Sequence, residues 1–345
     1  MTISAGPITP PAAAMAAAAR QLSDGQAKPL GALGRLEEIG AWLSGCQGVC
    51  PPRQLDDVRV VVFAGDHGVA ADGVSAYPAA VTPAMVRGIA AGVAGVSALA
   101  AVNHVAVRLY DLGVDADFDD LDPQITRFKV RRGSGRIDVE DALTRDEVEA
   151  ALAAGDRIAG EEVADGAQLL IAGDLGIGNT TVAATLIAAT HGLAAGAVVG
   201  RGTGIDDAAL AHKTTVIEAA LARAAGSVTD PVSRLAALGS ADIAAAVGFM
   251  LGSARRGVPV LLDGLIAVAE AAVAASIDPA IIPWLQVGHR STEPGQSAAL
   301  ERLGLVPLLD LGMRLGEGTG ALVAVPILRA AVAGLVDVAQ LRDLL

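Results

Sequence analysis

Six short apolar runs written in one grammar limit what this chain can fold into. They read 58-VRVVVFAGDHG-68, 105-VAVRLYDLG-113, 168-QLLIAGDLG-176, 257-GVPVLLDGL-265, 284-WLQVGHRS-291 and 305-LVPLLDLGMR-314. Each is continuous rather than alternating and rich in Val, Leu or Ile, which fits strands covered on both faces, as in a parallel sheet. Between them lie helical stretches such as 145-RDEVEAALAAGDRIAGEEVA-164, 206-DDAALAHKTTVIEAALARAA-225 and 241-ADIAAAVGFMLGSARR-256. Strands alternating with helices predict an α/β, doubly wound fold. The runs also end alike. Asp66 and His67, Asp111, Asp174, Asp263, His289 with Arg290, and Arg314 fall at or just past a strand's carboxyl end. That is the edge where open α/β sheets bind ligands.

Hydrophobic residues make up 52% of the 345 and aromatic ones only 2%. Such a core is built of small, close-packed elements, in one large domain or two smaller ones. The net charge of −13 repels a polyanion, so nucleic acid is excluded as a partner, whereas a phosphorylated small molecule needs only a local positive pocket. Cys46 and Cys50 lack a second Cys/His pair at ligand spacing and read as two free thiols. The stretch 1–20 has no basic start and is broken by prolines, unlike a signal peptide. The uncharged stretch 175–200 is long enough for a bilayer, but Asn179, His191 and its glycines favour a buried helix, so no membrane span is expected and the expected location is cytoplasmic. The patch 115-DADFDDLD-122 lacks the Gly and Glu of a calcium loop and reads as a solvated acidic loop. The stretch 319–345 reads as helical with a break near Pro326.

The chemistry gathers in three loops. In 171-IAGDLGIGNTT-181 an apolar run gives way to Gly176, Gly178, Asn179, Thr180 and Thr181 ahead of an Ala-rich helix. Glycines admit a ligand close to the backbone, and the helix start favours an anion, so this is a phosphate cradle. A second half follows in 200-GRGTGIDDAALAHK-213, where Asp206 can cap a helix and Lys213 can reach a phosphate as a point charge. Neither half has Walker spacing, and neither has the GxGxxG pattern of dinucleotide binding. In 311-LGMRLGEGTG-320, Glu317 lies between Gly316 and Gly318, with Arg314 three residues earlier. A carboxylate in such a pocket suits a general base, though helix-start carboxylates are also common. His67 reads as structural or as an oriented donor, and Asp66, His67, Asp111 and Asp263 can share a metal only if their strands are adjacent.

Seven segments in order over nearly the whole chain carry a resemblance. They are 28-KPLGALGRLEEIGAWL-43, 62-VFAGDHGVAADGVSAYPAAVT-82, 172-AGDLGIGNTT-181, 199-VGRGTGIDD-207, 238-LGSADIAAAVGFMLGSARRGVPVLLDG-264, 286-QVGHRSTEPGQ-296 and 306-VPLLDLGMRLGEGTGA-321. Together they resemble the nicotinate-nucleotide–dimethylbenzimidazole phosphoribosyltransferase family, which makes the lower-ligand nucleotide of cobalamin. The resemblance implies a Rossmann-like, mostly parallel sheet with helices on both faces over 55–325. It also implies a small helical domain built from both termini, 1–54 with 326–345, and a homodimer. The implied reaction moves phosphoribose from nicotinate mononucleotide to 5,6-dimethylbenzimidazole, with no metal or redox cofactor.

In residue terms, the resemblance implies Glu317 as the base and Asp174 as a second catalytic carboxylate. It places Gly176, Ile177, Gly178, Asn179, Thr180, Gly202, Lys213, Ser291 and Arg314 around phosphate and ribose. Tyr77, Pro78, Met85, Leu175 and Leu315 are the implied lining of the base pocket. Two departures stand out. The family loop often reads Gly-Glu-Met-Gly-Ile-Gly-Asn-Thr where this chain has Asp174 and Leu175, and a Gln common past the Thr of the base-pocket segment is replaced in 81-VTPAMV-86 by Ala84 and Met85. Transfer to another base, such as adenine or a phenol, and a phosphosugar-binding module without turnover are the alternatives.

Overall fold

A computed structural model describes residues 6–226, 228 and 230–345; the first five residues of the proline-broken N-terminal stretch lie outside the described residues. All six apolar runs become strands: β1 (Val58–Gly65), β2 (Ala106–Gly113), β3 (Leu169–Leu175), β4 (Val260–Leu262), β5 (Leu285–His289) and β6 (Pro307–Leu309). They form one parallel sheet in the order β2-β1-β3-β4-β5-β6. In β1, Val61 and Phe63 enter one hydrophobic cluster while Val60, Val62 and Ala64 enter the other, on the opposite face. This two-sided burial is why the runs are continuous. One face is covered by the helices Arg145–Ala164, Asn179–His191, Ala241–Arg255 and Leu265–Ile277, the other by Arg35–Gln47, Gly95–Val102 and Thr319–Asp337.

The scarcity of aromatic side chains is matched by direct backbone contact between helices. A Cβ placed on Gly155 would lie 1.8 Å from the Ala245 carbonyl oxygen, and one on Gly248 would lie 2.1 Å from that of Leu152. Helices 145–164 and 241–255 therefore touch along a seam that no larger residue fits.

The termini meet. Gln26 Nε2 donates to the carbonyls of Gly334 and Leu335, Leu341 N donates to Gly25 O, and Ala19, Ala41 and Leu335 pack as a small cluster. The expected break near Pro326 does not occur. Helix Thr319–Asp337 runs through it, with Pro326 on the exposed side and Val325 and Leu328 buried on either side of it. Tertiary packing outweighs the lost amide. This helix and the stretch Val81–Val102 are long and apolar enough to cross a membrane by composition. The first packs on the sheet, and the second is interrupted by a turn at 91–93. The helix within 175–200 spans only Asn179–His191, its apolar residues buried in the core.

The sheet order puts the site where physics favours it. Strands are added to one side of β1 by β2 and to the other by β3, so the connections leaving β1 and β3 diverge at their carboxyl ends. A crevice opens at such a switch point, and both His67 and the 176–179 loop stand there.

Candidate active site

Helix Asn179–His191 begins at Gly178, whose φ of 96° is left-handed. A side chain on Gly176 would strike the Gly65 carbonyl at 2.1 Å and His67 Nε2 at 2.7 Å, so only glycine lets this loop sit on β1. Ile177 N donates to Thr82 Oγ1, tying the loop to helix Val81–Ala90. Asn179 Nδ2 donates to Asp174 Oδ1 at 2.6 Å.

Lys213 is fully buried. Its ammonium donates to Thr180 Oγ1 at 2.9 Å and to Gly200 O at 3.1 Å, joining the two glycine clusters. Burial pulls its pKa down to about 8, against the opposing charge of Glu293. Gly202 is held from both ends: its N–H donates to Glu293 Oε1 at 2.8 Å, and its carbonyl accepts from Arg314 Nη1 at 2.8 Å. Ser291 Oγ accepts from Glu293 N. Asp206 caps helix Asp207–Ala224 by accepting from Ala209 N, as its position suggested.

Glu317 faces this loop system from the end of the chain. Its φ is 61°, between 88° at Gly316 and 85° at Gly318, so three successive residues are left-handed. For a glutamate that backbone is strained, and such strain gathers where a side chain must be aimed. The carboxylate is buried, Oε2 accepts from Val96 N at 3.0 Å at the start of helix Gly95–Val102, and Glu317 N donates to Asp174 O at 3.3 Å. Burial raises the pKa of Glu317 above the ordinary value, the Val96 N–H opposes this, and the charge of Asp263 adds to the rise. Gly95 has no side chain because Leu315 Cδ2 would lie 2.6 Å from its Cβ.

A cavity at the carboxyl edge of the sheet is lined by Asp174, Gly202, Asp263, Ser291, Glu293 and Arg314, among others. Of the sequence-predicted phosphate and ribose residues, Gly202, Ser291 and Arg314 line this cavity, Thr180 and Lys213 sit beside it at Gly202, and the Gly176–Asn179 loop packs against β1, His67 and Asp174. The base-pocket residues are placed less tightly. Leu175 is buried and Met85 half-buried, whereas Tyr77, Pro78 and Leu315 are exposed. Ala76 N and the Ser75 hydroxyl meet Thr203 Oγ1, which ties the Tyr77 segment to the glycine loop at 200–204.

The metal set considered from sequence does not assemble. Asp111 pairs with Lys129 at 2.8 Å, Asp66 accepts from Asp115 N, and Asp263 caps helix Thr319–Asp337 by accepting from the amides of Gly318, Gly320 and Ala321. Asp263 belongs to β4's end, two strands from β1, and its other neighbour is His289, 3.4 Å away. His67 groups instead with Asp174 and Asp242. The acidic loop is less free than a solvated one, because Arg132 pairs with Asp117 and Asp115 and Arg87 with Asp120. Cys46 and Cys50 are free thiols, and burial pushes both upward in pKa.

Sequence reading passed over Glu293, Asp242 and Glu270. Glu293 stands one residue ahead of Pro294, in a segment where Ser291 draws the attention. Asp242 and Glu270 sit inside helices whose other residues are apolar, and a buried acid in an apolar helix was the available signal.

A parallel sheet with a glycine-lined anion cradle at its switch point, faced by a buried carboxylate, defines an α/β enzyme acting on a phosphorylated small molecule. The family model described as "Phosphoribosyltransferase" matches residues 8–343, and the chain belongs to that family. It is 55% identical over 332 residues to the nicotinate-nucleotide–dimethylbenzimidazole phosphoribosyltransferase of Mycolicibacterium paratuberculosis, covering 96% of this chain and 95% of the relative. With the enzyme of the same name from Mycobacterium marinum it shares 55% identity over 337 residues, 98% and 94% of the two chains. The crystal structure of CobT from Thermus thermophilus superposes with a TM-score of 0.92 at 42% identity, covering 96% of this chain and 98% of that one.

Proposed function

We propose that this chain transfers phosphoribose from nicotinate mononucleotide to 5,6-dimethylbenzimidazole, releasing nicotinate and α-ribazole 5′-phosphate for cobalamin synthesis. The observation that carries the reading is Glu317, a buried carboxylate on a left-handed backbone, directly after Gly316 in the lining of the cavity. One benzimidazole nitrogen attacks the anomeric carbon from the face opposite nicotinate, so the β-linkage becomes α. The bond to the pyridinium nitrogen breaks, its electron pair stays on that nitrogen, and nicotinate leaves with a neutral ring. The other benzimidazole nitrogen then loses its proton to Glu317, whose raised pKa makes it a stronger proton acceptor than an ordinary carboxylate. Lys213, the Gly176–Asn179 loop, Thr180, Gly202, Ser291 and Arg314 hold the phosphoribose, and Tyr77, Pro78, Met85, Leu175 and Leu315 receive the base. Asp174 enters as a second carboxylate lining the same cavity.

The same proposal takes 55–325 as the catalytic domain and 1–54 with 326–345 as a small helical domain. Helix Thr319–Asp337 spans that division and joins the two. A homodimer belongs to it as well, supported by the exposed apolar Val93 and Leu315 on the two segments that meet at Glu317. So does a cytoplasmic location, with which two unpaired thiols agree. Purified protein mixed with nicotinate mononucleotide and dimethylbenzimidazole, followed by chromatography, tests the activity; no α-ribazole phosphate above blank sinks it. Light scattering tests the dimer.

A further inference from the structure

We propose that His67 and Asp242 form a buried positioning pair that fixes the Gly176–Asn179 loop, through Asp174, for the phosphoribosyl donor. This rests on the functional reading above. Asp242 lies in the first turn of helix Ala241–Arg255, and its Oδ2 is 3.2 Å from His67 Nε2. Both side chains are buried. Glycines make the room they occupy. A Cβ on Gly65 would lie 2.7 Å from the Asp242 carboxylate, one on Gly176 would lie 2.7 Å from His67 Nε2, and one on Gly178 would lie 3.3 Å from His67 Cβ. The imidazole is therefore wedged directly under the loop, with the Asp242 carboxylate behind it.

The pair also reaches the loop by a second route. One ligand-type atom each from His67, Asp174 and Asp242 lies within 4.8 Å of the others. Asp174 Oδ1 accepts from Asn179 Nδ2, while Asp174 Oδ2 and both Asp242 oxygens have no hydrogen-bond donor among the described residues. Two carboxylates facing each other in a dry space do not both ionise, so one proton is shared and links them. Burial, then the charges of Asp242 and Glu270, push Asp174 well above the usual carboxylate range. Burial pushes Asp242 the same way, but His67, Ser240 and Asp174 together hold it below its ordinary value. Asp174, which accepts from Asn179 Nδ2, is the carboxyl on which the proposal places that proton, facing Asp242. Asp, one methylene shorter than Glu, keeps its carboxyl inside this chain of contacts.

A divalent cation on His67, Asp174 and Asp242 is the rival account of the same side chains, and the test separates the two. Steady-state kinetics with both substrates varied are run on wild type, His67→Ala, Asp242→Ala, the double variant, Asp174→Ala and Asp174→Asn. Each alanine variant is expected to raise the KM for nicotinate mononucleotide about tenfold, the scale of a lost buried hydrogen-bond partner. The KM for dimethylbenzimidazole stays level, and the double variant is no worse than the poorer single one. Asp174→Asn keeps an acceptor for Asn179 and a donor for Asp242, so it recovers most of what Asp174→Ala loses. Additive losses, equal shifts in both KM values, or no recovery in Asp174→Asn overturn the proposal. So does one equivalent of divalent metal in elemental analysis of purified wild type. Where alanine variants do not fold, Asp174→Asn and the near-isosteric Asp242→Asn carry the test. A wild type that forms no product refutes the functional reading instead, and donor affinities by calorimetry then decide the positioning role with the same variants.

Discussion

Raising the pH should loosen the grip on the donor before it harms the fold, and Lys213 is the reason. Its ammonium is buried against Thr180 and the Gly200 carbonyl, and its pKa is drawn from 10.5 down to about 8. At pH 7 the group is about nine-tenths charged, and at pH 9 only about one-tenth. The donor's phosphate is a dianion throughout that range and binds the charged form, so its KM should climb about tenfold per pH unit above 8, or about 1.4 kcal/mol each. The fold responds with the opposite sign. Between pH 8 and 10.5 the unfolded chain binds more protons at this residue than the folded one, so ligand-free stability rises with pH, by about 3 kcal/mol over the window. Initial rates by chromatography from pH 7 to 9.5 give the donor KM, and denaturant melts of the free protein give the stability. Lys213→Met should show a donor KM raised about 10- to 100-fold already at pH 7, and flat thereafter. A wild-type donor KM that does not move between pH 7 and 9.5 refutes the argument, and so does the same slope in Lys213→Met.

Glu317→Gln should lower kcat by about 10²-fold or more with the donor KM little changed; near-normal turnover removes Glu317 from the base's role. Because burial raises its pKa, the acid limb of the kcat–pH profile should lie above the ordinary carboxylate value of 4.5, and a limb at or below it contradicts the assignment. Gly155→Ala should destabilise the fold in denaturant melts by about 3 kcal/mol, since its Cβ meets the Ala245 carbonyl oxygen at 1.8 Å and this outweighs the roughly 1 kcal/mol helix preference for alanine. With Ala84 and Met85 at the base pocket, a mixture of dimethylbenzimidazole, adenine and phenol should yield α-ribazole phosphate as the main product. A dominant adenine or phenol product would reassign the acceptor.

The strands were legible because burial on both faces leaves a run of Val, Leu and Ile that few other arrangements require. Even β4 and β6, three residues each in the structure, were read correctly from their runs. Strand order was not legible, since β1 sits inside the sheet and nothing local says which neighbour lies on which side. Site residues on loops announced themselves through glycine. Those acting across long distances did not. Asp263 read as a strand-end acid, yet its partners are amides 55 to 58 residues further on. The resemblance places Gly202 in the wall around phosphate and ribose, yet its N–H is engaged by Glu293, 91 residues further on. Pro326 misled because helix-breaking chemistry is local, whereas the packing that overrides it comes from the sheet and the 35–47 helix.

Basic and acidic groups meet around the glycine loops, and the proposed reaction uses both. The donors of Lys213 and Arg314 and the start of helix Asn179–His191 surround the glycine loops, where the proposed reading places phosphate. Asp263 and Glu293 line the cavity there, Glu293 against Gly202 itself, and Glu317 directly follows the lining residue Gly316. A protein of net charge −13 is a poor general host for nucleotides. It is a suitable host for one whose reacting end is cationic. The pyridinium of nicotinate mononucleotide carries positive charge, and so does the sugar while its old bond lengthens faster than its new one forms. All three carboxylates accept backbone amides, Asp263 those of Gly318, Gly320 and Ala321, Glu293 that of Gly202 and Glu317 that of Val96, so each is fixed in place. Glu317 accepts a single amide and is pushed by burial toward protonation. Asp263 and Glu293, which line the cavity, suit a role in holding a cationic sugar, and Glu317, whose pKa burial raises, suits a role in taking a proton. Position in the crevice and burial, not the count of captured amides, therefore sort stabiliser from base.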